Sequence, residues 1–149
     1  MTTTDRVPGT TTPAATERVA HGVAGGLLGG LVFGVMMQAG GMLPVVAGLV
    51  GSESVAVGWL VHLAISAVIG ALFGLLLAGR VRGAVGTGAL LGVAYGALWW
   101  VLGPLLVMPL AMGMPPFTVD AMALQSLLGH LVFGALLGLT VALLQRRRA

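Results

Sequence analysis

Four long apolar stretches, separated by short polar or proline-bearing segments, fill most of residues 19–144. A bilayer core takes about 20 helical residues to cross. The stretches therefore predict membrane helices near 19–40, 56–78, 84–103 and 121–144. Gly40-Gly41 and Pro44 end the first, because proline removes a backbone donor and disfavours helix just before it. LPVVAGLV at 43–50 then reads as a short interfacial or re-entrant piece, and GSES at 51–54 as a polar turn. The link at 79–86 carries Arg80 and Arg82. After the third helix, GPLLVMPLAMGMPPF holds three proline sites that predict the end of regular helix, and Asp120 and Met122 lead into the fourth. Residues 1–17, MTTTDRVPGTTTPAATE, have no apolar period and predict a disordered cytoplasmic tail. The apolar stretch after them is too long for a secretory signal core. Residues 18–149 then form one transmembrane domain.

Within the apolar stretches, small residues recur every fourth position. The first helix carries Gly22, Gly26, Gly30 and Gly34, and the second His62, Ser66, Gly70 and Gly74. The third carries Gly88, Gly92 and Gly96, and the fourth His130, Gly134, Gly138 and Ala142. Steps of four keep side chains on one slowly rotating helix face. Lipid is as apolar as leucine, so helices associate through close packing, which small-xxx-small faces permit. The ladders read as helix-packing surfaces. GGLVFG at 29–34 aligns with LGVAYG at 91–96, an offset of 62, and His62 aligns with His130, an offset of 68. This pattern predicts two parallel two-helix repeats related by an axis along the membrane normal. His62 and His130 then lie at one depth, near the outer surface.

Composition agrees with this assignment. Of 149 residues, 58% are hydrophobic and 7% charged, against roughly 25% charged in soluble domains. The expected fold class is an all-α polytopic membrane protein with four transmembrane helices and glycine-rich packing. Its surroundings are a lipid bilayer. There is no cysteine, which excludes disulfides and thiolate metal sites. Four spans put Arg6, Arg18, Arg80, Arg82 and Arg146 to Arg148 on one side and Glu53 and Asp120 on the other. The positive-inside rule makes the arginine side, with both termini, cytoplasmic.

Little in the chain points to chemistry. No acid or base lies deep in a predicted span, which argues against a proton-coupled pump. No Ser-His-Asp arrangement, phosphate loop, HExxH or paired carboxylate can be assembled, so the chain reads as non-enzymatic, with no catalytic residue and no resident cofactor. Ser66 and Thr140 are expected to bond a carbonyl of their own helix. Nucleic-acid binding has no support. The histidines allow three readings. In the first, His62 and His130 are interfacial residues bonded to loop carbonyls or water. In the second, they join Met108, Met112 and Met114 in a site for a copper-like ion, since imidazole and thioether suit Cu(I). In the third, they hold haem b between the second and fourth helices.

GVAYGALWWVLGPLLVMPLAMGMPPF followed by SLLGHLVFGALLG resembles the YagU-like group of small bacterial inner-membrane proteins. That group shows a glycine-rich helix, an aromatic pair, a proline-containing segment and a later helix headed by histidine. The likeness covers roughly residues 88–140 and carries over His130, without a role. Gly103-Pro104 stands here where the group would have a polar or histidine position. The resemblance implies a multi-pass inner-membrane protein with a link to acid-stress tolerance. The expected function is a structural or accessory membrane component that associates with itself or a membrane-protein partner. The alternatives are metal handling or small-solute transport through His and Met, and a b-haem protein.

Overall fold

The computed structural model describes residues 14–147, and these are helical from end to end apart from short turns, with no strand among them. Helix α1 spans Ala15–Ala39, α2 Leu43–Ala47, α3 Val55–Leu76 and α4 Ala78–Val81. Helix α5 spans Val85–Leu102, α6 Met108–Ala111 and α7 Ala121–Arg146. Four runs are long and apolar enough to cross a membrane: Ala15–Ala39, Val55–Leu76, Val85–Ala111 and Ala121–Arg146. The chain is an all-α multi-pass membrane protein. Its outward surface suits lipid, with Leu60 70%, Val35 63% and Leu90 72% exposed. Four spans return the chain to the side on which it started. The loops at 40–54 and 112–120 form the opposite, distal end.

Two expected boundaries are corrected. The proposed tail at 1–17 overlaps α1, which already starts at Ala15, while residues 1–13 lie outside the described chain. The third span does not stop near 103. It continues to Ala111 through a π-helical stretch, Gly103–Val107. Pro104 cannot bond the carbonyl four residues before it, and a wider turn accommodates that loss. Pro109 removes the normal donor to the Leu105 carbonyl in the same way. The Phe117 N–H supplies it instead, at 2.6 Å, folding the distal loop back over the π segment. Asp120 then caps α7, its Oδ1 accepting from the Ala123 N–H at 2.8 Å.

The small-residue ladders pack backbone against backbone. A Cβ on Gly22 would collide with the Gly70 carbonyl and Gly74, and one on Gly26 with the Ser66 carbonyl and Gly70. In the other pair, a Cβ on Gly88 would collide with the Gly138 carbonyl and Ala142, and one on Gly92 with the Gly134 carbonyl and Gly138. Thus α1 joins α3, and α5 joins α7, by the same kind of contact. The matching register sets Gly22, Gly26 and Gly30 against Gly88, Gly92 and Gly96, an offset of 66. That is one helical turn away from the 62-residue alignment of GGLVFG with LGVAYG.

A second glycine face makes α1 the hub of the bundle. Gly25 meets Leu137 and Gly29 meets Phe133 on α7, while Gly129 of α7 receives the Phe33 ring. The spatial order is therefore α3, α1, α7, α5. A four-membered ring would close by packing α3 on α5, but these two do not pack backbone to backbone. At the 66-residue offset, α5 carries Leu91 and Tyr95 where α1 carries Gly25 and Gly29. On α3, Val61 stands 68 residues before Gly129. Bulky side chains thus stand on this side at positions where the α1–α7 contact has glycine. The Tyr95 hydroxyl crosses the gap to donate to the Ile69 carbonyl at 2.9 Å, with its ring 5.2 Å from Phe73.

The packing makes a direct prediction. Gly70→Leu and Gly138→Leu should each destabilise the purified protein by about 1–3 kcal/mol or more through overpacking. Gly86→Leu, at a position with nothing within 4 Å, should melt close to wild type in the same thermal scan. Equal melting temperatures for all three would rule out the buried ladders.

Candidate functional site

The gap between α3 and α5 widens toward the distal end into a cavity of about 730 Å³. Tyr95 on Ile69 closes it below. Phe33 and Met37 of α1 form its back, and Met42, Val46 and Leu49 one wall. Gly103, Pro104, Val107 and Met108 form the other, so the π segment lies directly on the cavity. Two of its lining residues, Val68 and Val107, are 60% and 56% exposed, which opens the cavity sideways toward lipid. Met112, Met114 and Met122 ring the distal mouth, all strongly exposed.

Two histidines enter this apolar space. His62 is buried, and its Nε2–H donates to the Gly30 carbonyl of α1 at 2.9 Å. The Nδ1–H of His130 donates to the Ser126 carbonyl, one turn earlier in α7, at 2.8 Å. A carbonyl oxygen only accepts, so these bonds set the tautomers. Nδ1 of His62 and Nε2 of His130 keep their lone pairs, and neither has a hydrogen-bond partner among the described residues. The Phe33 ring lies edge-on to both imidazoles, with centroids 5.3 Å from His62 and 4.8 Å from His130. Trp59 packs against His62 and donates its indole N–H to Gln38 Oε1 at 2.7 Å.

The Phe33 ring contacts both histidines, which the one-depth expectation did not specify. The expected depth is corrected. His62 and His130 lie seven and nine residues inside the distal ends of their helices, roughly 10 and 13 Å along the axis. They belong to the span, bonded to helix carbonyls rather than to a loop. Ser66, also buried, donates to the His62 carbonyl at 2.8 Å, as expected of a helix serine. Ser126 donates to the Ala123 carbonyl at 3.0 Å.

Met108, Met112 and Met114 all line the same cavity as His62 and His130, so the five residues proposed as metal ligands share one space. Among the described residues, no group of three or more His, Cys, Asp or Glu is placed to hold a metal ion. For the haem reading, the Phe33 ring packs against both imidazoles. Sequence reasoning did not identify Phe33, Ser126 or the Gly30 carbonyl as parts of the site. Only the exchange of Gly25 and Gly29 for Leu91 and Tyr95, visible once the correct offset is known, marks the open side in the sequence. His21 is separate: it is buried in the first turns of α1, with Nε2 4.0 Å from Glu17.

No family model matches the chain, and neither a curated protein nor a solved structure gives a match to it.

Proposed function

We propose that the protein is a non-enzymatic component of the bacterial inner membrane that takes up an apolar small molecule between α3 and α5. The observation that carries this reading is the missing fourth helix contact, which leaves a cavity opening sideways to lipid. Cavities of some 300–1,000 Å³ with apolar walls and a few polar groups suit organic ligands. The non-enzymatic reading is supported by what the polar lining residues do. Ser66 and Ser126 direct their hydroxyls to carbonyls of their own helix, and the Asp120 carboxylate caps α7. The resemblance of 88–140 to YagU-like proteins agrees with a role in the inner membrane.

A second reading, metal handling, draws on the open imidazole nitrogens and the nearby thioethers. Its weakness is charge. A bound cation would need compensation in a low-dielectric space, and among the described residues Asp120 at the mouth is the one acid lining the cavity.

The arginines support a topology with cytoplasmic termini: Arg18, Arg80, Arg82, Arg146 and Arg147 lie at the terminal end, and Glu53 and Asp120 at the distal end.

Native mass spectrometry of detergent-purified protein tests the uptake. Wild type should retain an apolar adduct, and Ile65→Trp with Val107→Trp, which fills the gap from both sides, should lose it at an unchanged melting temperature. An adduct that survives the filling places it elsewhere and ends the cleft reading. Elemental analysis after Cu(I) exposure tests the second reading. Near-stoichiometric copper that disappears in His62→Ala and His130→Ala would favour metal handling.

Because the chain has no cysteine, single cysteines test the topology. Thr118→Cys should react with a membrane-impermeant maleimide in intact cells, and Arg147→Cys only after lysis. The reverse pattern would invert the topology.

A further inference from the structure

The cavity's chemistry is narrower than its shape. Its walls are overwhelmingly Met, Val, Leu, Ile, Phe, Pro and Trp. Against that background stand the Asp120 carboxylate at the mouth and two ring nitrogens with open lone pairs, on His62 and His130, while the unpaired indole N–H of Trp99 is itself fully buried. Both imidazole nitrogens are hydrogen-bond acceptors, and both are held in that role. Turning His62 into a donor at Nδ1 by tautomer exchange would break its bond to the Gly30 carbonyl. Doing the same at Nε2 of His130 would break its bond to the Ser126 carbonyl. Each exchange would set a ring lone pair against a carbonyl oxygen 2.8–2.9 Å away and forfeit a hydrogen bond worth about 0.5–1.5 kcal/mol. The hydroxyls of Ser66 and Ser126, which would otherwise donate to a ligand, are occupied within their helices.

We propose that the cleft recognises a membrane-borne apolar molecule bearing a hydroxyl group, such as a phenol, quinol or lipid alcohol, whose O–H donates to His62 Nδ1 or His130 Nε2. This rests on the cleft reading above and adds a polarity rule to it. An O–H donor is accepted. An ether or ketone of the same shape, which can only accept, meets two lone pairs and is disfavoured. Asp120, at the mouth and engaged in capping α7, is the one acid among the described lining residues, which disfavours cationic ligands, and the lack of lysine or arginine among them disfavours anions. Binding involves no covalent step. The ligand slides in past Val68 and Val107 with its apolar body along Ile65, Ile69 and Pro104. Its hydroxyl reaches the imidazoles beside Phe33.

The test uses full-length protein in nanodiscs and tritiated 4-octylphenol, with 4-octylanisole, its methyl ether, as competitor. The phenol should bind saturably and roughly tenfold more tightly than the ether. In the double variant His62→Phe, His130→Phe, which keeps aromatic bulk, phenol affinity should fall to that of the ether while ether affinity holds. The wild-type comparison stands by itself if the variant fails to fold. Equal wild-type affinities would overturn the donor rule and leave the cleft reading intact. Absence of saturable binding by either compound would overturn both. Lipid extracts of the purified protein separate the sources. A retained hydroxylated lipid identifies a resident membrane alcohol, and ligand-free protein that still binds the phenol identifies an exchangeable guest.

Discussion

Contact between helix backbones is the constraint on which the bundle depends. In lipid, leucine gains little by leaving the bilayer for another helix, so association rests on how closely two helices approach. Glycine sets that approach here. Gly22 and Gly26 admit α3, Gly25 and Gly29 admit α7, and Gly88 and Gly92 hold α5 to α7. A methyl group at any of these six positions would collide with an opposing helix. Each such face is about as wide as a single row of glycines, so a helix that joins two neighbours needs two rows. Helix α1 has both.

The same constraint explains the site. Helix α5 repeats only one of the two rows of α1. In place of the second it carries Leu91 and Tyr95, and α3 stands off. A membrane protein cannot leave polar backbone facing lipid in such a gap. The exposed α3 and α5 surfaces are regular helix, and the carbonyl freed by Pro109 is met by Phe117. The backbone of the open side is therefore satisfied, and its unpaired buried donor among the described residues is the Trp99 indole N–H. The open side supplies what a closed four-helix ring lacks, an apolar space reached from the membrane, with two acceptors set in its wall.

Much of this architecture is legible in the residues. Four-residue spacing of glycine exposes the packing faces, and long apolar runs expose the spans. The repeat-related histidines are visible too, and they do meet at a common ring. Their depth follows from the helix starts near 56 and 121, which are legible: seven and nine residues of helix at about 1.5 Å each carry the imidazoles inward from the distal end, away from the surface that the repeat alone suggested. The continuation of the third span past Pro104 was missed because proline rules describe an α-helix, and this stretch widens to a π turn. The repeat register was off by a turn because VFG and AYG look alike. The structural equivalence is instead set by which glycines touch. That one-turn error hid the exchange of glycine for Leu91 and Tyr95, and with it the open side.

The central claim is that Leu91 and Tyr95 hold α3 and α5 apart. Pulsed electron–electron resonance between spin labels at Leu60→Cys and Val101→Cys, on the exposed faces of the two helices, measures it directly. Introducing Leu91→Gly and Tyr95→Gly should let the helices approach as α1 and α7 do, shortening the distance by roughly 2 Å or more. A distance unchanged by the double substitution, in protein that remains folded, would contradict the account.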